Sequence, residues 1–406
     1  MPAGSLAKVR MALAYGADAV YVGAPGLSMR PDDVTLNLAD LSEAVGLAHD
    51  AGRKLYACIN ILMFEADLPL LASWLEETRD LAFDALLVAD PGAMAWAQKH
   101  RPDVPVHVST QMSTANTAAA TFWKMAGAKR VVLARECSIA DAATIAKESG
   151  IEVEIFVHGA MCMAISGRCL LSAHLCGKSG SRGECKHSCR WEWQLVEQKR
   201  PGEALPVFEA GGSTFLMGST DLCLIQHIPL LASSGLASLK VEGRMKSEYY
   251  VATVARVYRA ALDAYAADPD GYKLDPAWVA ELDAVSHRPY DEGFAFGYPV
   301  DRPRKLQAEN ILSTTHEMVA IITGVEANGY RLNVKHPFGV GDTFEWIGPG
   351  LIGGNVTIAS IMRNGAPIER SHCGTEVVVT LEGAPELPAL AILRRRRRND
   401  VRSPKG

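Results

Sequence analysis

Short apolar runs alternate with amphipathic stretches along the first part of the chain. The runs Ala19–Gly23, Lys54–Ile59, Ala85–Val88, Val106–Val108, Arg130–Leu133 and Val153–Val157 read as strands. Between them, Leu41–His49, Leu68–Leu81, the stretch after Asp90-Pro91-Gly92, Thr114–Ala126 and Ile139–Glu148 repeat apolar residues at helical spacing. Asp40 and Asp90 stand where helix N-caps belong. Ser238–Glu242 adds a strand and Lys246–Ala267 a long helix after it. Such alternation predicts a parallel sheet. Seven strands are one short of a TIM-like (β/α) barrel, the α/β fold class expected here. An open doubly wound sheet is the alternative. No Gly-x-Gly-x-x-Gly turn follows the first strand, which counts against a dinucleotide site.

The pattern then changes. Residues 268–306 are richer in Pro, Asp and Gly and read as a linker. Within 307–393, the runs Val319–Ile322, Tyr330–Val334, Val356–Ile358 and Glu376–Leu381 are separated by Gly, Asn and Pro. They predict a small all-β, barrel-like C-terminal domain. The arginine run from Arg394 to Arg398 opens a tail, 394–406, expected to be a solvated end; a phosphate-contacting arm is its functional alternative. Residues 1–267 form the larger domain, interrupted by a cysteine-rich insertion at 158–223.

With 406 residues, 48% of them hydrophobic and 21% charged, the chain can bury two cores. A net charge of −5 gives no global pull toward a polyanion, so nucleic-acid contact needs a local basic patch. No apolar run is long enough to span a bilayer. The first residues lack the basic-then-apolar order of a signal peptide. A cytoplasmic protein with reduced thiols and no membrane contact is expected.

Six of the nine cysteines fall in one segment: Cys162, Cys169, Cys176, Cys185, Cys189 and Cys223. It begins directly after the strand ending at Val157, on the side where a parallel barrel carries its chemistry. Thiolates are soft ligands for iron–sulfur clusters or zinc. Zinc knuckles favour Cys-x-x-Cys, which this segment lacks. Six, fifteen and thirty-seven residues separate Cys162, Cys169, Cys185 and Cys223 in turn. Spacing alone leaves an iron–sulfur cluster, zinc and unligated thiols open.

Several of these stretches resemble peptidase family U32, the collagenase-like peptidases. Gly16-Ala17-Asp18-Ala19-Val20-Tyr21-Val22-Gly23 is similar to its opening motif, His158 to Ser172 to its signature, and Val241–Ser247 to a later motif. The stretch Arg182–Glu209 most resembles a branch that hydroxylates a transfer-RNA wobble uridine to 5-hydroxyuridine without molecular oxygen. The resemblance implies an N-terminal barrel and a four-iron four-sulfur cluster on Cys162, Cys169, Cys185 and Cys223. Cys189 is the rival ligand and zinc the alternative metal. It also implies transfer RNA as partner, a prephenate-derived oxygen donor, and a second family member as a heteromeric partner. Relatives carry a strand just before the Pro2-Ala3-Gly4 turn. That strand is expected to be missing here, through a start placed too late. A collagenase-like protease and a non-catalytic scaffold with a structural metal cluster are the competing functions.

The strand ends supply the remaining candidates. His158, Arg135, Glu136, Glu242 and Arg244 are assigned to catalysis, and Asn60, Asp90 and Gln111 to substrate binding. Each also has a structural role available: Asp90 as a helix cap, Arg135 with Glu136 as a surface pair, His158 as a core histidine. Arg190 and Trp191, with Trp193, offer planes on which an unstacked base can lie; covering a cluster is the alternative for the tryptophans. Lys199 and Arg200 offer charges for phosphates. No His-Glu-x-x-His and no Gly-x-Ser-x-Gly supports proteolysis.

Overall fold

The protein is described from a computed structural model covering residues 1–29, 35–161, 169, 171–182, 184–186, 188, 195–196, 204–205, 208–210, 213–215, 220–297, 313–327, 329–383 and 386–397, with backbone alone for 181 and for 195–215. The strands of the larger domain are β1 (Ala19–Gly23), β2 (Lys54–Ile59), β3 (Ala85–Val88), β4 (Val106–Val108), β5 (Arg130–Val132) and β6 (Glu152–Ala160). Two short hairpins follow, β7 (Leu195–Val196) with β8 (Ala204–Leu205) and β9 (Phe208–Ala210) with β10 (Ser213–Phe215). Next come β11 (Asp221–Cys223), β12 (Ser238–Val241) and β13 (Tyr290–Asp291). The helices are α1 (Leu6–Ala14), α2 (Leu38–Asp50), α3 (Leu68–Glu77), α4 (Pro91–His100), α5 (Thr117–Met125), α6 (Ile139–Ser149), α7 (Leu171–Cys176), α8 (Ile228–Ser233), α9 (Glu248–Ala267) and α10 (Pro276–Leu282).

Strands β1 to β6 lie side by side in chain order, each neighbouring pair parallel. β12 joins β6 in parallel. β11 runs antiparallel to the end of β6, with Cys223 opposite His158, and pairs on with β13. The first residues lie along β1: Ala3 N–H donates to the Tyr21 carbonyl and Tyr21 N–H to that of Met1, both at 3.0 Å. Tyr21 Oη donates to the Val241 carbonyl at 2.8 Å, so the two ends of the parallel run approach one another. The strands are buried on both faces, as a helix-covered parallel sheet requires. Side-chain caps start the helices: Asn37 for α2, Asp90 for α4, Asn116 for α5, Ser138 for α6 and Ser247 for α9.

Toward the N-terminal ends of the strands the interior is charged. Glu154, 3% exposed, accepts from Lys240 Nζ at 2.7 Å and from Arg130 Nη1 at 3.0 Å. Burial pushes its carboxyl up, but the two cations hold it well below the usual carboxylate range.

The C-terminal domain consists of β14 (His316–Glu326), β15 (Gly329–Val334), β16 (Thr343–Ile347), β17 (Gly353–Arg363), β18 (Ala366–Pro367), β19 (Glu376–Glu382) and β20 (Ile392–Arg396). Six of them close in the order β16-β20-β14-β15-β19-β17, with β17 pairing back to β16, into an antiparallel barrel. Inward residues such as Phe344, Trp346, Val356, Ile358, Val377 and Val379 fill it. Closure leaves those six strands without a free edge.

Two sequence expectations are corrected. The supposed linker is structured through residue 297: α10 packs on α9, and β13 extends the main sheet. The arginine run does not begin as a solvated tail, because Arg394, Arg395 and Arg396 belong to β20. Arg394 is 8% exposed and binds Glu281 through two contacts of 2.8 Å, Glu345 at 3.0 Å and Tyr249 Oη at 3.1 Å. An arginine run hides a strand whose inward charge is met by carboxylates from both domains. Among the described residues no helix is long and apolar enough to cross a membrane.

Candidate functional site

The loops leaving the C-terminal ends of β1 to β6 and β12 bring most of the predicted polar residues to one pole. Arg135, after β5, meets Glu242, after β12, at 3.3 Å, and its guanidinium lies 3.9 Å over the Phe156 ring. The pair is largely shielded, with side chains 10% and 15% exposed. Arg135 therefore reaches across to the last parallel strand, and its salt bridge is to Glu242 rather than the neighbouring Glu136 that the sequence suggested. Glu136 is half-buried. Arg244, 3% exposed, donates to Ser28 Oγ at 2.6 Å, while Lys8 Nζ holds the Arg244 carbonyl at 3.0 Å. Two glycines make these approaches possible. A Cβ on Gly23 would stand 2.6 Å from Arg244 Nη1, and one on Gly159, at φ +105°, would stand 2.4 Å from the Glu242 carbonyl oxygen.

Asn60, 6% exposed, accepts from Met29 N–H at 3.2 Å. Gln111 reaches the same loop through Met29 Sδ and accepts from Ser109 Oγ. Asp90 instead turns to the start of α4, where Oδ1 accepts from Ala93 N–H at 2.9 Å; its observed contact is the helix cap.

His158 sits beneath this pole and is 1% exposed. Nδ1 faces Tyr258 Oη at 3.5 Å and Nε2 faces Tyr290 Oη at 3.4 Å, with the Tyr250 ring 6.0 Å away. Burial, with the charges of His287 and Lys246, pulls its pKa down to about 3. It is neutral near pH 7 and a poor proton acceptor, which fits the core-histidine alternative better than the catalytic role assigned from sequence. The tyrosines are not among the sequence candidates, although Tyr250, Val254 and Tyr258 follow helical spacing on α9.

Of the predicted metal ligands, Cys169, Cys185 and Cys223 are described and form no disulfide among the described residues; Cys162 and the rival Cys189 lie outside the described residues, as do Arg190 and Trp191. Cys169 and Cys185 are exposed, whereas burial raises the Cys223 thiol to about 11. Among the described residues no three His, Cys, Asp or Glu side chains gather as a metal shell. The donor chemistry of the three thiols suits a soft metal centre.

The segment carrying Cys169 and Cys185 is fastened to the pole by a contact invisible in the sequence. Arg182 donates to both oxygens of Asp67, at 2.7 and 2.8 Å, and to the Leu62 carbonyl at 3.1 Å. Asp67 also accepts from Phe64 N–H at 2.7 Å. The Arg182 guanidinium, hydrogen-bonding to Asp67, holds the Asp67 carboxyl below the usual range. Lys186 N–H donates to Ser172 Oγ at 3.0 Å and ties the Cys185 stretch to α7.

The sequence profile of peptidase family U32 matches residues 4–305, a span that holds every strand-end candidate and all six clustered cysteines. The chain belongs to this family. Among U32 relatives, tRNA hydroxylation protein P1 of Bacillus subtilis (strain 168) is 36% identical over 362 residues, 89% of this chain and 85% of that one. tRNA hydroxylation protein P of Escherichia coli (strain K12) is 35% identical over 389 residues, 86% of this chain and 85% of that one. A U32 protein named Collagenase, from Porphyromonas gingivalis (strain ATCC BAA-308 / W83), is 32% identical over 308 residues, 73% of this chain and 72% of that one.

Proposed function

We propose that this chain is an RNA-modifying enzyme that hydroxylates the wobble uridine of transfer RNA to 5-hydroxyuridine without molecular oxygen. The observation that carries this reading is similarity to tRNA hydroxylation proteins across more than four-fifths of both chains. The strand ends support it. Arg135 with Glu242, Arg244 with Ser28, and Asn60 with Gln111 present fixed donors and acceptors at the pole where a parallel barrel holds its substrates. We take the parallel sheet as part of a TIM-like (β/α) barrel. Collagenase-like proteolysis gains less from the geometry, because His158 is neutral and enclosed by tyrosines.

Cys162, Cys169, Cys185 and Cys223 would hold a four-iron four-sulfur cluster, with Cys189 as substitute ligand and zinc as the alternative metal. Such a cluster supplies electron transfer. The chain's own residues bind and orient. Arg135 and Arg244 offer guanidinium forks to a carboxylate-bearing oxygen donor of the prephenate class. Asn60 and Gln111 offer amides to the edge of a pyrimidine. The aromatic walls around His158 keep water from the floor of the site. A second U32 chain as partner and a cytoplasmic location complete the proposal.

Anaerobic purification followed by iron and sulfide analysis, with nucleoside mass spectrometry of tRNA from a deletion strain, tests it. Iron and sulfide in about equal amounts, together with loss of 5-hydroxyuridine derivatives restored by the gene, are expected. Unchanged tRNA would sink the RNA reading, and zinc in place of iron would sink the cluster.

A further inference from the structure

The loop leaving β2 carries an unusual pair of side chains. Phe64, four residues beyond Asn60, is 55% exposed, and Leu62 beside it is 46% exposed. Exposed apolar side chains are common on this protein, Phe122 and Phe296 among them, but Phe64 lies at the strand-end pole with a guanidinium against its ring. This ring is also held in place. The Phe64 backbone N–H donates to Asp67 at 2.7 Å, which fixes the loop beneath the side chain, and the Arg182 guanidinium lies 5.2 Å from the ring centre. Both oxygens of Asp67 and the Leu62 carbonyl take up three of the five Arg182 N–H donors. The charge of Arg182 is thus neutralised and its plane oriented, so it backs the ring and is poorly placed to grip a phosphate.

We infer that Phe64, backed by Arg182, is a stacking platform for a nucleobase of single-stranded RNA beside the strand-end pole. The inference rests on the RNA reading above and deepens it by naming where a base lies. A planar, pre-oriented aromatic surface is what an unstacked loop base needs: it has a π-face whatever its sequence, and a rigid ring loses little freedom on contact. The wobble position lies in such a loop. A base stacked on Phe64 would be a neighbour of the target, leaving Asn60 and Gln111 for the target itself. The pole also exposes Met245, after β12, at 57%, but that side chain is flexible and gives no plane.

The test is binding of an anticodon stem-loop RNA with an unmodified wobble uridine to the full-length protein, measured across a salt series. Phe64→Ala should weaken binding roughly 5- to 100-fold, the range found for a base stacked on an aromatic side chain. The slope of affinity against salt should stay unchanged, because no phosphate contact is lost. Phe64→Trp should bind at least as well as the unsubstituted protein. Phe64→Leu, which keeps apolar bulk without the plane, should behave like the alanine variant. Full affinity in Phe64→Ala or Phe64→Leu would overturn the platform and point to a protein surface at Phe64, while the RNA reading stood on the unsubstituted protein's own binding. If the unsubstituted protein fails to bind the stem-loop, both fall together. Because Phe64 is exposed, the thermal midpoint of each variant should match the parent.

Discussion

At the scale of single residues, the interior of the larger domain is set by what each buried group does with its proton. Glu154 is ionised between Lys240 and Arg130, with its folded pKa below the 4.5 of a free glutamate. Its contribution is present above that value and lost as pH falls below it, so it is silent near neutrality. His107 behaves differently. It is 4% exposed, with its ring 5.0 Å from that of Tyr56, and burial beside Arg130 lowers its pKa to about 3. The unfolded chain takes up a proton near pH 6.5, before the folded one does, so stability falls as pH drops through that value. At pH 5 the loss from His107 is about 2 kcal/mol, with His158 adding a similar amount. Thermal midpoints should therefore decline between pH 7.5 and 5, and His107→Phe should make that decline shallower. An unchanged slope in this variant would show that His107 is not the buried neutral group assigned here.

At the scale of elements, what was legible in the sequence is what local pattern controls. The seven parallel strands were visible because each is an apolar run flanked by polar turns, and Asp90 was visible as a cap because the next residue is Pro91. β11 was not, because three residues, Asp221–Cys223, owe their strand geometry to pairing with β6 rather than to their own pattern. Nor was the Arg182–Asp67 clamp, whose partners lie 115 residues apart. The strand-end set was legible as a group, since one rule about strand termini finds it, but its pairings were not. The clamp makes its own prediction. Asp67→Asn removes the paired acceptors that hold the guanidinium, and a charged hydrogen bond of this kind is worth about 1–3 kcal/mol. The segment from α7 to Lys186 should then open more readily. Hydrogen exchange should rise there and in the 61–67 loop, with β2 and β3 unaffected. Protection unchanged in 171–186 would mean that other contacts fasten the insertion.

At the scale of the whole molecule, the two domains share an apolar seam, where Ile321, Ile347 and Ile392 of the C-terminal barrel join the core of the larger domain, and polar contacts are set into it whose failure should be conspicuous. Tyr15 Oη on the first domain donates to the Ile347 and Leu390 carbonyls of the second, at 3.1 and 2.9 Å. Arg394 of β20 enters the interface and meets Glu281 of α10 and Tyr249 of α9. Arg256 also approaches Glu281, at 3.7 Å. Burying a guanidinium is tolerable only while carboxylates face it, so removing one partner strands the other. Arg394→Ala should cost about 3–5 kcal/mol. The loss should fall on the joint rather than on either core, since Phe344, Trp346 and their neighbours pack without Arg394. Calorimetry should then resolve two transitions where the parent protein shows one. Arg394→Met combined with Glu281→Leu and Arg256→Met should recover much of the loss, because the apolar trio carries no stranded charge, whereas leaving Arg256 in place strands its guanidinium. If the triple variant is no better than the single one, the interface depends on the remaining partners of Arg394, Glu345 and Tyr249, and the arginine acts as a three-way tie instead of one half of an ion pair.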